Sequence, residues 1–167
     1  YFPTHLKNKG YDIKYTFIEK NKNSFLFLNK TLNDYGYLNE DTNCLNGKFV
    51  SYLDLIIDNI KNRSRANRCI FILDQYGYAD APIPVIKKIF EQLPKAEVIL
   101  TFSVDSLIDY LSSEKPQVLY NMGLSKEDCE QIYDVKEDND FSRTKIQPLL
   151  YKTIVNQVGA PFYTPFF

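Results

Sequence analysis

Five consecutive apolar residues closed by a carboxylate, CIFILD (Cys69 to Asp74), restrict the fold more than any other stretch of the chain. An apolar run without polar alternation suits a strand covered on both faces, which is the situation in parallel sheets. The same pattern returns in AEVILTFSV (Ala96 to Val104). Between the two lies a helical spacing, Val85, Ile86, Ile89, Phe90 and Leu93, preceded by Pro84 near its start and stopped by Pro94. A strand, a helix and a second strand of this kind form a crossover unit of parallel strands.

The preceding third of the chain repeats the alternation. DIKYTFIE (12–19) reads as a buried strand, and Asn21 to Tyr35 as a helix with Phe25, Leu28 and Leu32 on one face, ended by Gly36. Cys44 to Val50 is a weaker strand, and Tyr52 to Ile60 a second helix through Leu53, Ile56, Ile57 and Ile60. With DSLIDYL after the last strand, three or four β-then-α steps run in series, which points to the α/β class: a mostly parallel sheet with helices on both faces. Residues 125–134 read as a short acidic helix capped by Ser125, DVKEDND as a solvated linker, and SRTKIQPLLYKTIVNQVG as a last helix that Gly159 ends. APFYTPFF reads as an edge strand or rim segment, because its two prolines cannot donate to a sheet ladder. One domain is expected, with a core over 1–112 and a helical extension with a C-terminal aromatic strand over 113–167.

With 20 basic and 21 acidic residues the net charge is -1, so a surface that tracks nucleic acid over its whole extent is excluded, although a local patch is not. No apolar run reaches the ~18 residues of a membrane span, so no membrane partner is expected. The three cysteines, Cys44, Cys69 and Cys129, are far apart and odd in number, which favours reduced thiols and a cytoplasmic location. His5 is the only histidine, so a triad or histidine-rich metal centre lacks material and no metal ligands are assigned. Tyr1 is taken as a cut or processed start, with no signal peptide pattern after it.

Ligands of open parallel sheets sit beyond the carboxyl ends of the strands. Two acids stand there, Glu19 after YTFI and Asp74 after CIFIL. Glu19 can accept from a ribose diol, and Asp74, followed by the loop YGYADAP, can face a reacting group. The competing reading makes both of them strand caps or salt-bridge partners. A nuclease pattern is poorly met, because Glu19, Lys20 and Asn21 misplace the lysine by one. Lys61, Arg63, Arg65 and Arg68 form a basic connector that could touch phosphates but more simply is a charged loop. Phe162, Tyr163, Phe166 and Phe167 are expected to pack in a core or edge, and Glu127 to Asp140 to be a solvated face.

The stretch IFILDQYGYADAPIPVIKKIFEQLPKAEVILTF resembles the central signature of the three-Cys-motif partner proteins, a bacterial family related to class I S-adenosylmethionine-dependent methyltransferases. YTFIEKNKNSFLFL resembles that family's second strand and helix, and GAPFYTPFF its aromatic C-terminal strand; together the likeness spans about 12–112 and, loosely, 142–167. It implies a Rossmann-like, doubly wound sheet, S-adenosylmethionine as cofactor and methyl transfer to a nucleobase amine. Glu19 then holds the cofactor ribose, Asp74 also lies at the cofactor, and Asp74, Gln75 and Tyr76 take the catalytic motif that aims the amine. Gln75 stands where proline is expected, which removes a preset backbone angle. None of Gly10, Gly36, Gly47, Gly77, Gly123 and Gly159 forms a glycine-rich turn, so the first strand and its turn are expected upstream of Tyr1. The alternative is a non-catalytic module on the same scaffold that contacts a partner protein; nucleic acid is the partner implied by the enzymatic reading.

Overall fold

Helix α1 (Lys22–Asp34) starts where the Asn21 carboxamide oxygen takes the N–H groups of Asn23, at 2.9 Å, and Ser24, at 3.1 Å. These are two of the four donors that the first turn leaves without an intrahelical partner. Its apolar face reaches inward through Leu32, and the chain leaves the helix through Tyr35 and Gly36. The computed structural model describes residues 9, 12–63, 68–75, 77–112, 114 and 116–164. Along these residues the order is β1 (Tyr15–Glu19), α1, β2 (Thr42–Asn46), α2 (Phe49–Lys61), β3 (Cys69–Asp74), α3 (Ile83–Gln92), β4 (Ala96–Thr101), α4 (Val104–Tyr110), α5 (Gln117–Met122), α6 (Lys126–Glu137) and α7 (Arg143–Val158). The protein is thus mixed α/β, with seven helices and two parallel two-stranded sheets among the described residues.

The chain divides into two compact units, Tyr1–Leu53 and Asp54–Phe167, with the division inside α2. In the first, β1 pairs with β2 in parallel, from Tyr15 opposite Thr42 to Glu19 opposite Asn46, and α1 packs on both strands. Phe17 on β1 is partly exposed, so this strand is less covered than its apolar sequence suggests.

In the second unit β3 pairs with β4, Cys69 opposite Ala96 through Asp74 opposite Thr101. Phe71 and Leu73 of β3 face the core, which α3 fills with Ile83, Ile86 and Ile89, α4 with Val104, Leu107 and Ile108, and α6 with Cys129 and Ile132. Helix α7 is the hub: it packs on α3, α4 and α6, and Ile146 and Leu150 lose all contact with solvent. Pro148 lies inside α7 rather than at its start, and costs the helix one backbone donor. Gly159 at φ 71° ends it, as expected from the sequence.

Several expectations are corrected. β3 is buried on alternate residues rather than on both faces: Phe71 and Leu73 are buried, whereas Ile70 is 62% and Ile72 72% exposed. The stretch DVKE continues α6 to Glu137 instead of forming a linker, since its acids face solvent while Ile132 and Tyr133 anchor the same helix inside. Helix α5 occupies a region without a recognisable pattern. Residues 160–164 join no sheet, and Phe162 is 91% exposed, so the aromatic end is neither edge strand nor core there; Phe166 and Phe167 lie outside the described residues. No helix among the described residues is long and apolar enough to cross a membrane.

Candidate functional site

The carboxyl end of the β3–β4 pair is built by the two segments that follow the strands. After β3 the chain folds back on itself: Gln75 Oε1 accepts the Ala81 N–H at 3.2 Å, and Asp80 Oδ2 accepts the Gly77 N–H at 3.0 Å. Pro82, extended at φ -66°, then delivers the chain into α3, with Pro84 in the first turn, where proline needs no helical acceptor. After β4, Ser103 carries the loop to its neighbour: its carbonyl accepts the Tyr78 hydroxyl at 3.0 Å, and the Tyr78 and Phe102 rings meet at 5.3 Å in a tilted arrangement. Burial raises the Tyr78 hydroxyl above its ordinary pKa, and the nearby Tyr110 adds to this, so it remains a neutral donor at physiological pH.

Asp74 lies at the tip of β3, exposed, and its carboxylate has no hydrogen bond or ion pair among the described residues. Its backbone register places it opposite Thr101, on the sheet face that also carries Ile70 and Ile72. Gln75 follows it directly, but its carboxamide oxygen is committed to Ala81 and closes the loop rather than pointing at a ligand. Tyr76 lies outside the described residues. The hollow at Gln75, lined also by Tyr78, Ala81, Ile83, Leu100 and Phe102, admits little more than a water-sized group, and Asp74 does not line it.

Glu19 stands in the first unit at the end of β1. One carboxylate oxygen, Oε1, accepts the Asn21 N–H at 2.7 Å, so the acid and Asn21 together shape the entry into α1. Its backbone carbonyl takes the Gly47 N–H at 3.0 Å and the Asn46 side-chain amide at 2.8 Å, tying β1 to the turn after β2. Gly47 has φ 152°, and a Cβ there would meet the Tyr52 ring at 3.0 Å. The Tyr52 hydroxyl in turn donates to the Asn46 carbonyl at 2.8 Å. Among the described residues the second Glu19 oxygen has no partner, so capping and ligand binding are compatible roles here.

Asp74 and Gln75 are therefore neighbours at one strand end, while Glu19 belongs to the other unit. Residues that the sequence reading did not single out are Tyr78, Phe102 and Ser103, which make the rim; Tyr78 sits inside the YGYADAP loop, and Phe102 follows directly on the apolar run of β4. Of the basic connector, Lys61 ends α2 and donates to Gln92 Oε1, and Arg68 is exposed just before β3, while Arg65 lies outside the described residues. His5 lies outside them too, and among the described residues no group of His, Cys, Asp or Glu could hold a metal ion. No family model matches the chain, and no curated protein or solved structure is significantly similar to it.

Proposed function

We propose that the chain is an S-adenosylmethionine-dependent methyltransferase-like protein acting on a nucleobase amine, akin to the three-Cys-motif partner proteins, on a Rossmann-like, doubly wound sheet. The observation that carries this reading is the Asp74 carboxylate, unpartnered among the described residues, at the carboxyl end of a parallel strand and ahead of a loop that closes on itself. The parallel pairing of β1 with β2 and of β3 with β4, with a helix between the two strands of each pair, is the crossover connectivity such a fold is built from and supports the reading.

Each acid taken by itself fits such a cofactor as a hydrogen-bond acceptor: among the described residues Glu19 has one carboxylate oxygen without a partner and Asp74 has both. Glu19 would accept from a ribose hydroxyl. When bound, the cofactor supplies a methyl group activated by a sulfonium sulfur. Asp74 would accept an N–H of the substrate amine and so turn the nitrogen lone pair outward, a positioning role that an exposed carboxylate at a strand end can fill. Nucleic acid bearing such an amine is the substrate class of this reading.

A second reading is favoured by one observation: Gln75 Oε1 accepts the Ala81 N–H, so this side chain serves to close the loop. On it the scaffold is a non-catalytic module for a partner protein. Isothermal titration of the full chain with S-adenosylmethionine and S-adenosylhomocysteine decides between them. Heat from both, with methyl transfer to adenine- or cytosine-containing oligonucleotides that falls by about 100-fold in Asp74→Ala, is the expected result. Because the Asp74 side chain makes no bond among the described residues, that variant should melt with the parent. Absence of heat with both ligands overturns the enzymatic reading.

A further inference from the structure

Asn46 and Gly47 form the chain's single Asn-Gly pair. In this dipeptide a side-chain carboxamide and the next backbone nitrogen react most readily, because no Cβ crowds the approach. The fold needs both residues where they stand. Asn46 closes β2 and is exposed, and its Nδ2 donates to the Glu19 carbonyl at 2.8 Å. Gly47 turns the chain at φ 152°, where a Cβ would press on the Tyr52 ring at 3.0 Å, and its own N–H donates to the same Glu19 carbonyl at 3.0 Å. Tyr52 adds a further tie, since its hydroxyl donates to the Asn46 carbonyl at 2.8 Å. One oxygen of β1 thus holds both the nucleophile and the leaving group of a cyclisation, and all four residues belong to the first unit.

We propose that the Asn46-Gly47 pair is a deamidation site gated by the Glu19 carbonyl, inert while the two bonds to that oxygen hold and reactive when β1 and β2 part there. Cyclisation starts when hydroxide takes the Gly47 N–H proton. A proton engaged with a carbonyl is not available to it, the same condition that governs amide hydrogen exchange. The Gly47 nitrogen pair then forms a bond to Asn46 Cγ and the Cγ–Nδ2 bond breaks. The leaving nitrogen takes that electron pair and a proton from water and departs as ammonia, which restores the hydroxide. Water next adds to the cyclic imide, its hydroxyl going to a carbonyl carbon and its proton to the Gly47 nitrogen. Opening at Cγ gives aspartate, and opening at the main-chain carbonyl gives isoaspartate, whose backbone runs through Cγ. Both products lack the Nδ2 donor and carry a new carboxylate, an acceptor, beside the Glu19 carbonyl, so neither can rebuild the gate. The first unit supplies the openings, because Leu32 and Leu53 are its only buried apolar side chains among the described residues. The inference is independent of methyl transfer: it uses the Glu19 backbone and not its carboxylate.

The test follows Asn46 in the full chain at mildly alkaline pH by mass spectrometry of the peptide that contains it, with aspartate and isoaspartate separated by chromatography. Exchange of the Gly47 amide is followed by NMR under the same conditions. In guanidinium chloride Asn46 should convert before every other asparagine. In the folded chain its conversion should be slower by about 10- to 100-fold, the factor expected from two hydrogen bonds. The slowing should be no smaller than the protection factor of the Gly47 amide. Tyr52→Phe removes the tie to the Asn46 carbonyl and keeps the ring, so it should raise conversion and Gly47 exchange together by about fivefold. Should this variant not fold, the two rates of the parent chain still decide. The proposal is overturned if Asn46 converts as fast folded as unfolded, or if it persists in the unfolded chain while other asparagines convert. It is also overturned if conversion is slowed by less than the Gly47 protection factor, or if Tyr52→Phe speeds exchange alone, because attack would then proceed with the Glu19 bonds in place.

Discussion

Cys129 has no exposed surface, and its sulfur lies 4.0 Å from the Leu124 carbonyl, a weak sulfur contact within a helix start. Burial pushes its thiol up to about 11, with the neighbouring carboxylates of Asp128 and Glu130 adding to the shift. A group whose folded pKa is raised stabilises the fold below its unfolded value, near 9, and loses that contribution as pH rises through the folded value. The window is therefore alkaline, between about pH 9 and pH 11, where one proton's worth of linkage removes about 2–3 kcal/mol. Urea midpoints of the parent chain should fall across this window more steeply than those of Cys129→Ala; parallel curves would show that the thiol is not desolvated in solution. At neutral pH the same thiol is protonated and enclosed, so a thiol reagent should modify Cys44 and Cys69, which retain partial exposure, well before it. Gln75 shows the complementary limit of residue-scale reading. Its departure from proline is visible in the sequence, but the acceptor role of its side chain is not, because Ala81 is six residues away and only the folded loop brings its N–H within reach.

At the scale of the element, the contact between α5 and α3 turns on one glycine. Gly123 ends α5 at φ 86°, and a Cβ there would lie 2.4 Å from Pro84 Cδ and 2.8 Å from Pro84 Cγ. The proline ring is held by the backbone of the α3 first turn and cannot swing aside. Gly123→Ala thus combines left-handed backbone strain with overpacking and should destabilise by about 2–4 kcal/mol. Thermal melts of this variant beside Gly159→Ala, where the φ is similarly positive but nothing lies within 4 Å of the added Cβ, separate the two contributions. Equal losses in the two variants would remove the steric part of the argument. This junction was illegible in the sequence: α5 has six residues and buries only Leu119 and Met122, too few to establish a period. The continuous apolar run of β3, by contrast, marks the strand's observed ends, Cys69 and Asp74, since the acid closes it. The same run misled about coverage, because alternating and uniform burial both permit five apolar residues and only the placement of helices decides which face stays bare. Charge patterning misled at α6, where the acids of DVKE look like a solvated linker yet line the outer side of a helix anchored by Cys129, Ile132 and Tyr133.

At the scale of the whole molecule, the two units differ in how much apolar surface they enclose. Among the described residues of Tyr1–Leu53, only Leu32 and Leu53 are buried apolar side chains, whereas Asp54–Phe167 encloses Ile89, Leu107, Ile108, Leu119, Ile132, Ile146 and Leu150 among others. Each fully buried Leu or Ile contributes roughly 1.5–3 kcal/mol relative to exposure, so the second unit holds the greater part of the stabilising burial. Its helices are also joined by side-chain clamps: Arg143 of α7 binds Asp105 at 3.0 Å and also Asp109, both on α4, and Gln147 reaches the same Asp105 at 2.9 Å. These groups are largely exposed, so they fix the angle of α7 on α4 more than they add stability. Hydrogen exchange of the full chain should therefore resolve two levels of protection. Amides of α3, α4 and α7 are expected to exchange only through global unfolding, with those of α1, β1 and β2 opening at lower free energy. Raising the salt concentration should leave the order unchanged, because the ranking rests on apolar burial and screening acts on the exposed ion pairs alone. If the β1 and α1 amides proved as slow as those at Ile146 and Leu150, the first unit would have to draw its stability from a source other than its own buried side chains.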